Sequence, residues 1–273
     1  MIQTWSRGVA DDGMAEAILV ELQEVIRRHP WWQARARLTI ALLEQQGVHP
    51  PARVLDAGCG WGVTLERLEH QRYQVDGLDV SRQALERLDR EGRTLIEADL
   101  TRDVPNHVQP YDAVLALDVI EHLDDDQGAL ARLAKLVAPG GILIVSVPAL
   151  PDLFSEFDAI QGHRRRYTPE TLRAAFEGTG LEIESIRWWC GMMVNVLRRQ
   201  RTRPRSRPGE PPEATYRRYL KVPPWPISSA LRMAFAIENQ RTRQGFGIKG
   251  TSLIALARRP GPKKASNERH SRL

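Results

Sequence analysis

Short apolar runs alternate with amphipathic stretches through most of the chain. The apolar runs occupy residues 54–55, 74–78, 94–96, 113–117, 142–147, 181–189 and 250–258, and helical apolar spacing occupies residues 64–70, 83–90, 127–137 and 168–178. Strands that alternate with helices form βαβ units, which pair in parallel and carry helices on both faces of the sheet. The pattern therefore predicts a doubly wound α/β fold with a mostly parallel sheet of seven strands.

The two ends of the chain follow different patterns. Residues 14–46 repeat apolar side chains at helical spacing, and Pro30 divides them into two predicted helices. Residues 198–215 carry six arginines in their first ten positions and four prolines overall, which is typical of an exposed, poorly ordered insertion. We expect five segments, namely a helical cover at residues 1–50, a core at 51–190, a basic insertion that caps the core at 191–249, a last core strand at 250–259 and a disordered tail at 260–273.

Composition narrows the class of protein. The chain has 273 residues with 42% apolar content, enough for a large hydrophobic core. Cys59 and Cys190 lie far apart without metal or redox spacing, and a reducing environment is the simplest expectation. No apolar run approaches the roughly 20 residues that span a bilayer, and residues 1–13 lack a secretion signal. We therefore expect a cytoplasmic protein.

Charge divides the chain into two unlike halves. Residues 1–150 contain 15 basic and 23 acidic residues, a net charge of −8, whereas residues 151–273 contain 24 basic and 11 acidic residues, a net charge of +13. An acidic half suits a cationic or amine-bearing ligand, and a basic half suits an anionic partner or surface. The two halves are therefore expected to have different roles.

The strongest chemical signal is the sequence VLDAGCGWG at residues 54–62, where a strand runs into a glycine-rich turn and then a helix. Glycines at positions 58, 60 and 62 permit positive φ angles and close approach of a ligand. A dinucleotide fingerprint would need glycine at position 63, which is Val63, and a pyrophosphate would be repelled by Asp56. A ligand with an ammonium group, a ribose and no phosphate fits this turn better.

This turn resembles motif I of the class I S-adenosylmethionine-dependent methyltransferases, and the similarity extends over about residues 50–150. The family has a Rossmann-like fold, binds S-adenosylmethionine and releases S-adenosylhomocysteine. The resemblance assigns Asp79, 21 residues after Gly58, to the ribose hydroxyls and Asp99 to the adenine amine. The implied cofactor-binding residues are Asp56, Gly58, Cys59, Gly60, Gly62, Asp79, Val80, Asp99, Leu100, Asp118 and Val119.

Candidate catalytic residues follow the predicted fourth and fifth strands. His122 comes just after the fourth strand, and GHRRRY at residues 162–167 resembles a GHxRRY block found in one bacterial branch of these enzymes. A histidine near neutral pKa can take a proton from an acceptor hydroxyl. We expect His163 to line the acceptor pocket, with Tyr167 and one or more of the arginines orienting the acceptor. The alternative is that His163 and Arg165 form a structural clasp between this loop and the core.

A metal alternative arises in the turn of residues 118–122, DVIEH. Some relatives, among them small-RNA 2′-O-methyltransferases and quinone-biosynthesis O-methyltransferases, hold Mg²⁺ with an ExxEH pattern. Here Asp118 replaces the first glutamate and shortens its reach. No metal ligand is therefore predicted, and Mg²⁺ remains the alternative.

The acceptor is expected to be a small or lipid-linked molecule that is methylated at oxygen. Residues 186–199 and 223–237 combine apolar side chains with arginines, which favours a cap over a hydrophobic acceptor or a peripheral contact with an anionic membrane. One alternative is an RNA methyltransferase that binds RNA through residues 198–207. Another is a catalytically silent regulatory protein that binds the cofactor.

Overall fold

The computed structural model describes residues 2–6, 16–105, 108–200, 206–220 and 222–262. The strands of the described residues are β1 (Ile2–Thr4), β2 (Arg53–Ala57), β3 (Gln74–Asp79), β4 (Thr94–Glu97), β5 (Tyr111–Leu117), β6 (Val137–Pro148), β7 (Glu182–Trp189) and β8 (Ser252–Arg258). The helices are α1 (Glu16–Glu21), α2 (Gln23–Arg28), α3 (Pro30–Gln45), α4 (Val63–His70), α5 (Arg82–Leu88), α6 (Asp126–Leu136), α7 (Glu156–Ile160), α8 (Pro169–Ala175), α9 (Val194–Gln200), α10 (Pro212–Tyr219) and α11 (Ile227–Arg243).

The strands form one mixed sheet in the order β1-β4-β3-β2-β5-β6-β8-β7. Neighbours from β1 to β6 pair in parallel, and β8 pairs antiparallel with both β6 and β7. The chain moves outward from β2 to β4 and then returns to add β5 and β6 on the other side. The order reverses between β2 and β5, which is where ligands bind in open α/β sheets. The predicted α/β fold is confirmed.

The sheet has eight strands, one more than the seven predicted. The additional strand is β1, which pairs with residues 95–97 of β4 at the sheet edge. A three-residue strand gives no detectable alternation of apolar and polar positions, since strand patterns need about four to eight residues. The sequence signal was therefore too short, and only the pairing with β4 defines this strand.

The N-terminal cover contains three helices among its described residues, one more than predicted. Pro30 is the first residue of α3, where its missing N–H costs no hydrogen bond, and His29 caps the helix by accepting from the Trp31 N–H over 3.2 Å. The break that the sequence did not indicate lies at Leu22, which separates α1 from α2. Leu22 and Ile26 are nevertheless fully buried, so the predicted apolar face is retained.

Two apolar layers enclose the sheet. One face packs against α6 and α8 around Val114, Leu143 and Leu133, and the other packs against α3 and α4 around Leu42, Leu65 and Leu115. Thr168 caps α8 by accepting from the Thr171 N–H, as its position before Pro169 predicts, and α8 ends at Ala175 rather than at Gly178. These layers hold the carboxyl ends of the parallel strands in one plane.

The basic insertion folds into α9, α10 and α11. Of the segment predicted to be poorly ordered, residues 198–215, the residues 201–205 lie outside the described residues, whereas 198–200 belong to α9 and 212–215 to α10. The predicted tail also lies almost entirely outside them, from residue 263 onward. No described helix has the length and apolar character needed to cross a membrane. Because α11 packs on α3 and β7, the insertion and the N-terminal cover meet on the same side of the core.

Candidate functional site

A cavity of about 790 Å³ opens at the carboxyl ends of the parallel strands. Its floor is formed by the turns that follow β2, β3, β4 and β5, and its walls are formed by the helical cover and the basic insertion. All predicted cofactor residues except Gly62 line it, and these are Asp56, Gly58, Cys59, Gly60, Asp79, Val80, Asp99, Leu100, Asp118 and Val119. The strand order has brought together residues that lie up to 63 positions apart, from Asp56 to Val119.

Two other segments pack tightly against the glycine-rich turn. Gly58, Gly60 and Gly62 have φ angles of +75°, +45° and +73°, which disfavour residues with a Cβ. A Cβ at Gly58 would lie 2.3 Å from Cγ2 of Val119, so the turns after β2 and β5 are in direct contact there. Gly62 precedes the first residue of α4, and a Cβ added at Gly62 would contact Leu88 rather than enter the cavity. It therefore shapes the turn without lining the cavity.

Asp79 holds this turn from the end of β3. Its Oδ2 accepts from the Gly60 N–H over 2.8 Å, and its Oδ1 accepts from the Ser81 N–H over 2.9 Å. Burial raises the pKa of the Asp79 carboxyl, and these N–H donors act in the opposite direction. Each carboxylate oxygen keeps a second lone pair. Asp79 can therefore accept from a vicinal diol while it orients the glycine turn.

Asp56 is the second buried carboxyl group of the cavity. Its pKa is raised to about 7, because burial, together with the Asp79 charge, outweighs the opposite effect of the Arg35 guanidinium. A carboxyl group that titrates near neutral pH gains charge when a cation approaches. Asp56 is therefore suited to an ammonium group, as its place before the first glycine predicts.

Asp99 and Leu100 follow β4 and line the opposite wall. Asp99 Oδ1 accepts from the Thr101 N–H over 2.8 Å and from its hydroxyl over 2.7 Å, and the Asp99 N–H donates to the Ser6 hydroxyl over 2.9 Å. Leu100 is almost fully buried. The segment after β1 thus fixes the Asp99 turn, a contact that the sequence pattern did not indicate.

Asp118 lies at a backbone φ of +57° and points toward the helical cover. Its Oδ1 accepts from the Ser146 hydroxyl over 2.9 Å, and its Oδ2 forms an ion pair with Arg35 of α3. The Arg35 guanidinium also stacks on Trp31 at 5.0 Å from the ring centroid, and its Nε has no hydrogen-bond partner within the described chain. Arg35 therefore connects the cover to the cavity floor.

The sequence pattern did not indicate Arg35, Trp31 or Trp32 as site residues, although all three line the cavity. A signal was available, because Arg35 lies three and seven residues before Leu38 and Leu42 and so occupies the apolar stripe of α3. A charged residue on a buried stripe needs a partner. The partner is Asp118, 83 residues away, which only the folded chain identifies.

The polar groups of the cavity fit S-adenosylmethionine. Asp79 offers acceptors for a diol and Asp56 offers a carboxyl group for an ammonium. The indole Nε1 of Trp61, a cavity residue, is buried without a hydrogen-bond partner in the described part of the chain. A buried donor without a partner is costly unless a ligand or water accepts from it. The cavity is therefore built for a polar ligand at this end.

His163 lines the cavity and belongs to a buried polar cluster. Its Nδ1 is 3.1 Å from Asp158 Oδ1, and its Nε2 is 3.9 Å from Glu121 Oε1, beyond hydrogen-bond range. Arg166 donates to the same Asp158 oxygen through Nε at 2.8 Å and Nη2 at 2.7 Å. Burial raises the pKa of Glu121 well above its usual value, and the Asp118 charge raises it further. Neither Glu121 oxygen has a hydrogen-bond partner among the described residues, so Glu121 does not engage the lone pair that Nε2 of His163 carries when Nδ1 holds the proton.

His122 and Tyr167 occupy positions that suit proton transfer less well. Burial, and then the nearby His163, lowers the pKa of His122 to about 3, so this imidazole is a weak base at neutral pH. Tyr167 is buried outside the cavity lining, and its hydroxyl donates to Asp126 Oδ2 over 2.8 Å. The structure therefore places Tyr167, which was expected to orient the acceptor, away from the cavity lining. Arg165 contacts the same Asp126 carboxylate, so both residues tie the loop to α6.

The turn of residues 118–122 does not form the metal set that the ExxEH pattern would imply. Asp118 is engaged by Arg35 and Ser146. Within the described residues, the atoms close enough for a metal ion belong instead to Glu121, His122 and His163. Two imidazoles and one carboxyl group match the oxygen preference of Mg²⁺ poorly.

The far wall of the cavity is apolar and comes from the basic insertion. Its residues lie on α9, α10, α11 and the loops that join them, and they are Met193, Val196, Leu197, Leu220, Pro223, Leu231 and Phe235. The cavity thus has a polar end at the strand termini and an apolar end under the insertion. This division suits two ligands of different polarity.

The raised pKa of Asp56 predicts pH-dependent cofactor affinity. Below pH 7 the carboxyl group is increasingly protonated in the free protein and loses its attraction for an ammonium group. We expect the affinity for S-adenosylhomocysteine to rise about tenfold from pH 5.5 to 7, a ratio that follows from the ionised fraction of one carboxyl group. Calorimetric titration at several pH values measures this rise. Asp56→Asn should bind more weakly at pH 7 and show a flat profile, and a flat profile in the unmodified protein would contradict the assignment.

Residues 28–186, more than half of the chain, match the family described as methyltransferase domain. The ubiquinone biosynthesis O-methyltransferase of Alkalilimnicola ehrlichii is 33% identical over 100 residues, which cover 34% of this chain and 40% of that protein. The protein of the same name from Vibrio atlanticus is 33% identical over 116 residues, which cover 40% of this chain and 48% of that protein. The chain thus spans less than half the length of these two curated relatives.

A solved structure extends the likeness over nearly the whole fold. It is the methyltransferase chain in the complex with the Haloferax volcanii Trm112 methyltransferase activator, with a TM-score of 0.58 and 18% identity over 94% of this chain and 100% of that one. At this identity the likeness concerns the fold alone. Because the family match covers residues 28–186, more than half of the chain, the protein belongs to the methyltransferase domain family, among the class I S-adenosylmethionine-dependent methyltransferases.

Proposed function

We propose that the protein transfers the methyl group of S-adenosylmethionine to an oxygen atom of a small-molecule acceptor with an apolar portion. The observation that carries this proposal is the two-part cavity, polar at the strand ends and apolar beneath α9, α10 and α11. The relatives named as ubiquinone biosynthesis O-methyltransferases support oxygen as the acceptor atom. The fold supports the cofactor, and the apolar wall supports the kind of acceptor.

The cofactor-binding residues are proposed to contact different parts of S-adenosylmethionine. Asp79 accepts from the ribose hydroxyls, Asp99 accepts from the adenine amine, and Asp56 faces the ammonium group. Val80 and Leu100 pack on the adenine ring, and the glycine turn permits the close approach. When bound, S-adenosylmethionine supplies a methyl group that is already activated by its sulfonium. The protein then has mainly to position the acceptor, which is worth up to about 7–11 kcal/mol in favourable cases.

His163 is proposed as the general base for the acceptor hydroxyl. Asp158 orients the imidazole through Nδ1, which leaves Nε2 as the proton acceptor. The hydroxyl proton moves to Nε2, the oxygen forms the new bond to the methyl carbon, and the electron pair of the broken carbon–sulfur bond stays on sulfur. The products are the methyl ether and S-adenosylhomocysteine.

Replacing His163 by alanine tests the base. Removal of a general base costs on the order of 10² to 10⁴ in rate, so kcat with a phenol acceptor should fall by about that factor while S-adenosylhomocysteine affinity stays within about twofold. With a nitrophenol acceptor, already ionised at the assay pH, the loss should be much smaller because no proton remains to be removed. His122→Gln, which alters the neighbouring imidazole with a pKa of about 3, is the matched control. Equal rates for His163→Ala and the unmodified protein at saturating acceptor would exclude the base role.

Label transfer tests the proposed reaction as a whole. Purified protein is incubated with methyl-labelled S-adenosylmethionine and a panel of catechols and phenols with alkyl chains of increasing length. We expect acceptor-dependent label in the organic phase that increases with chain length, since the cavity wall is apolar, and none with Asp79→Ala. Label that appears only with RNA would favour the alternative acceptor. Cofactor binding without label on any acceptor would favour a regulatory protein.

A lipid-linked acceptor and a peripheral position on an anionic membrane are part of the proposal. They are supported by the net charge of +13 in residues 151–273 and by the apolar insertion beside the cavity. RNA binding through residues 198–207 has less support, since Arg198 already pairs with Asp152 at 3.3 Å.

A further inference from the structure

The C-terminal helix α11 presents an apolar surface on the side that faces away from the core. The surface comprises large side chains on α11 and its two flanking loops, each more than half exposed, which are Trp225, Ile227, Met233, Ile237, Phe246 and Ile248. Ala230 and Ala236 are exposed on the same helix. We call these eight residues the α11 outer surface. Scattered exposed apolar residues are ordinary, but a cluster of this size marks an interaction site.

The opposite face of α11 is already in use. Phe235 and Thr242 are buried, and Asn239 accepts from the Trp189 indole N–H over 2.9 Å and donates to the Ala34 carbonyl over 2.9 Å. At 100° per residue, Met233 and Ile237 lie on the side of the helix away from Phe235. The helix is therefore fixed to α3 and β7 by one face while it offers the other to a partner.

The charge around this surface is almost entirely positive. Residues 214–262 contain nine basic residues and a single acidic residue, Glu238. Glu238 points inward and accepts from the Gly191 N–H. Arg232 and Arg241 are exposed on α11 itself. An apolar strip bordered by arginines, on a helix whose only carboxylate points inward, is complementary to anionic lipid headgroups above an acyl layer.

The α11 outer surface adjoins the apolar end of the cavity. Pro223 and Leu231 line the cavity, Trp225 follows Pro223 by two residues, and Ile227 precedes Leu231 by four residues, about one turn of α11. A membrane at this surface would therefore lie beside the apolar wall. The two tryptophans of residues 186–199 do not take part, because Trp189 is fully buried and Trp188 packs against the core.

We infer that the α11 outer surface docks on an anionic lipid bilayer and brings the apolar end of the cavity to the lipid. The contact specifies the peripheral membrane position given under the proposed function, and its purpose, access to a lipid-linked acceptor, rests on that function, whereas cofactor binding and methyl transfer do not depend on the contact. A second copy of the chain fits less well, since two such surfaces would bring their arginines together. RNA also fits less well, because the exposed centre is aliphatic rather than a series of aromatic rings for base stacking.

Vesicle binding tests the contact. The full-length protein is sedimented with phosphatidylcholine vesicles prepared with and without phosphatidylglycerol. Basic residues near an anionic surface and apolar side chains buried in the bilayer both favour partition onto the vesicle, and their contributions accumulate. We therefore expect phosphatidylglycerol to raise binding at least about tenfold, and Met233→Ser/Ile237→Ser to reduce it about tenfold or more.

Two matched controls separate this contact from other effects. Met233→Leu/Ile237→Leu keeps the surface apolar and should bind vesicles like the unmodified protein. Arg232→Glu/Arg241→Glu should lose binding, whereas Arg72→Glu/Arg87→Glu, which changes the net charge equally at exposed positions of the core, should retain most of it. Equal binding by the two arginine pairs would overturn the inference. So would a dimer in ultracentrifugation that Met233→Ser/Ile237→Ser dissociates.

Titration with S-adenosylhomocysteine distinguishes a failure of the docking surface from a failure of the proposed function. A variant that loses vesicle binding but keeps cofactor affinity supports the docking surface and shows that the protein is folded. Unmodified protein that binds cofactor but not anionic vesicles overturns the docking surface alone. Protein that binds vesicles but not cofactor overturns the proposed function alone.

Discussion

Arg166→Ala is expected to lower the free energy of unfolding by about 3–5 kcal/mol, the usual cost of removing one partner of a buried ion pair. Arg166 has only 3% of its side chain exposed, and it makes two hydrogen bonds to the fully buried carboxylate of Asp158. It also donates to the Ala149 carbonyl over 2.7 Å. Its removal leaves a buried charge and a buried carbonyl group with fewer partners. Urea denaturation followed by circular dichroism measures the loss.

The double variant Asp158→Ala/Arg166→Ala should be less destabilised than the sum of the two single variants, because it leaves no buried charge. Arg173→Ala, at an exposed position of α8, is the matched control and should change the free energy of unfolding by less than about 0.5 kcal/mol. A loss below about 1 kcal/mol for Arg166→Ala would contradict the structural importance of this ion pair.

Asp79→Ala is expected to weaken S-adenosylhomocysteine binding by at least about 100-fold. A hydrogen bond to a charged group contributes about 1.5–3 kcal/mol, and Asp79 is proposed to accept two from the ribose. The same change removes the acceptor for the Gly60 N–H, which holds the glycine turn in place. Isothermal titration calorimetry with S-adenosylhomocysteine measures the affinity directly.

Two further variants define this result. Asp79→Asn keeps one acceptor oxygen and should lie between Asp79→Ala and the unmodified protein. Asp112→Ala removes an exposed carboxylate near the start of β5, at the other end of the sheet from the cavity, and should leave binding unchanged. Near-native affinity in Asp79→Ala would remove Asp79 from the cofactor site.

The sequence was most informative where a local pattern carries the chemistry. The turn VLDAGCGWG, together with acidic residues after the next strands, predicted the fold class and the cofactor, which the family match over residues 28–186 confirms. These residues can be recognised in sequence because each follows directly from a strand end. The roles of Asp56, Asp79 and Asp99 toward the cofactor, and of His163 toward the acceptor, remain predictions with the tests given above.

Other features depend on contacts between distant segments. Arg35 reaches Asp118 across 83 residues, and the Asp126 carboxylate draws Tyr167 away from the cavity, although its motif suggested an acceptor contact. Arg166, rather than Arg165, forms the buried pair with Asp158 beside His163, so the loop carries a structural clasp alongside a candidate base. A run of three arginines does not indicate which of them is buried.

The sequence by itself determined the α/β fold class, the methyltransferase family and the polar residues of the strand ends, because apolar periodicity and turn chemistry act over a few residues. Only the tertiary structure decided the eighth strand, the partner of Arg35, the surroundings of His163 and the exposed face of α11. These features depend on pairing and packing between segments that lie as much as about 200 residues apart in the sequence. A helix such as α11, with apolar residues on both faces, buries only the face that meets a neighbouring element.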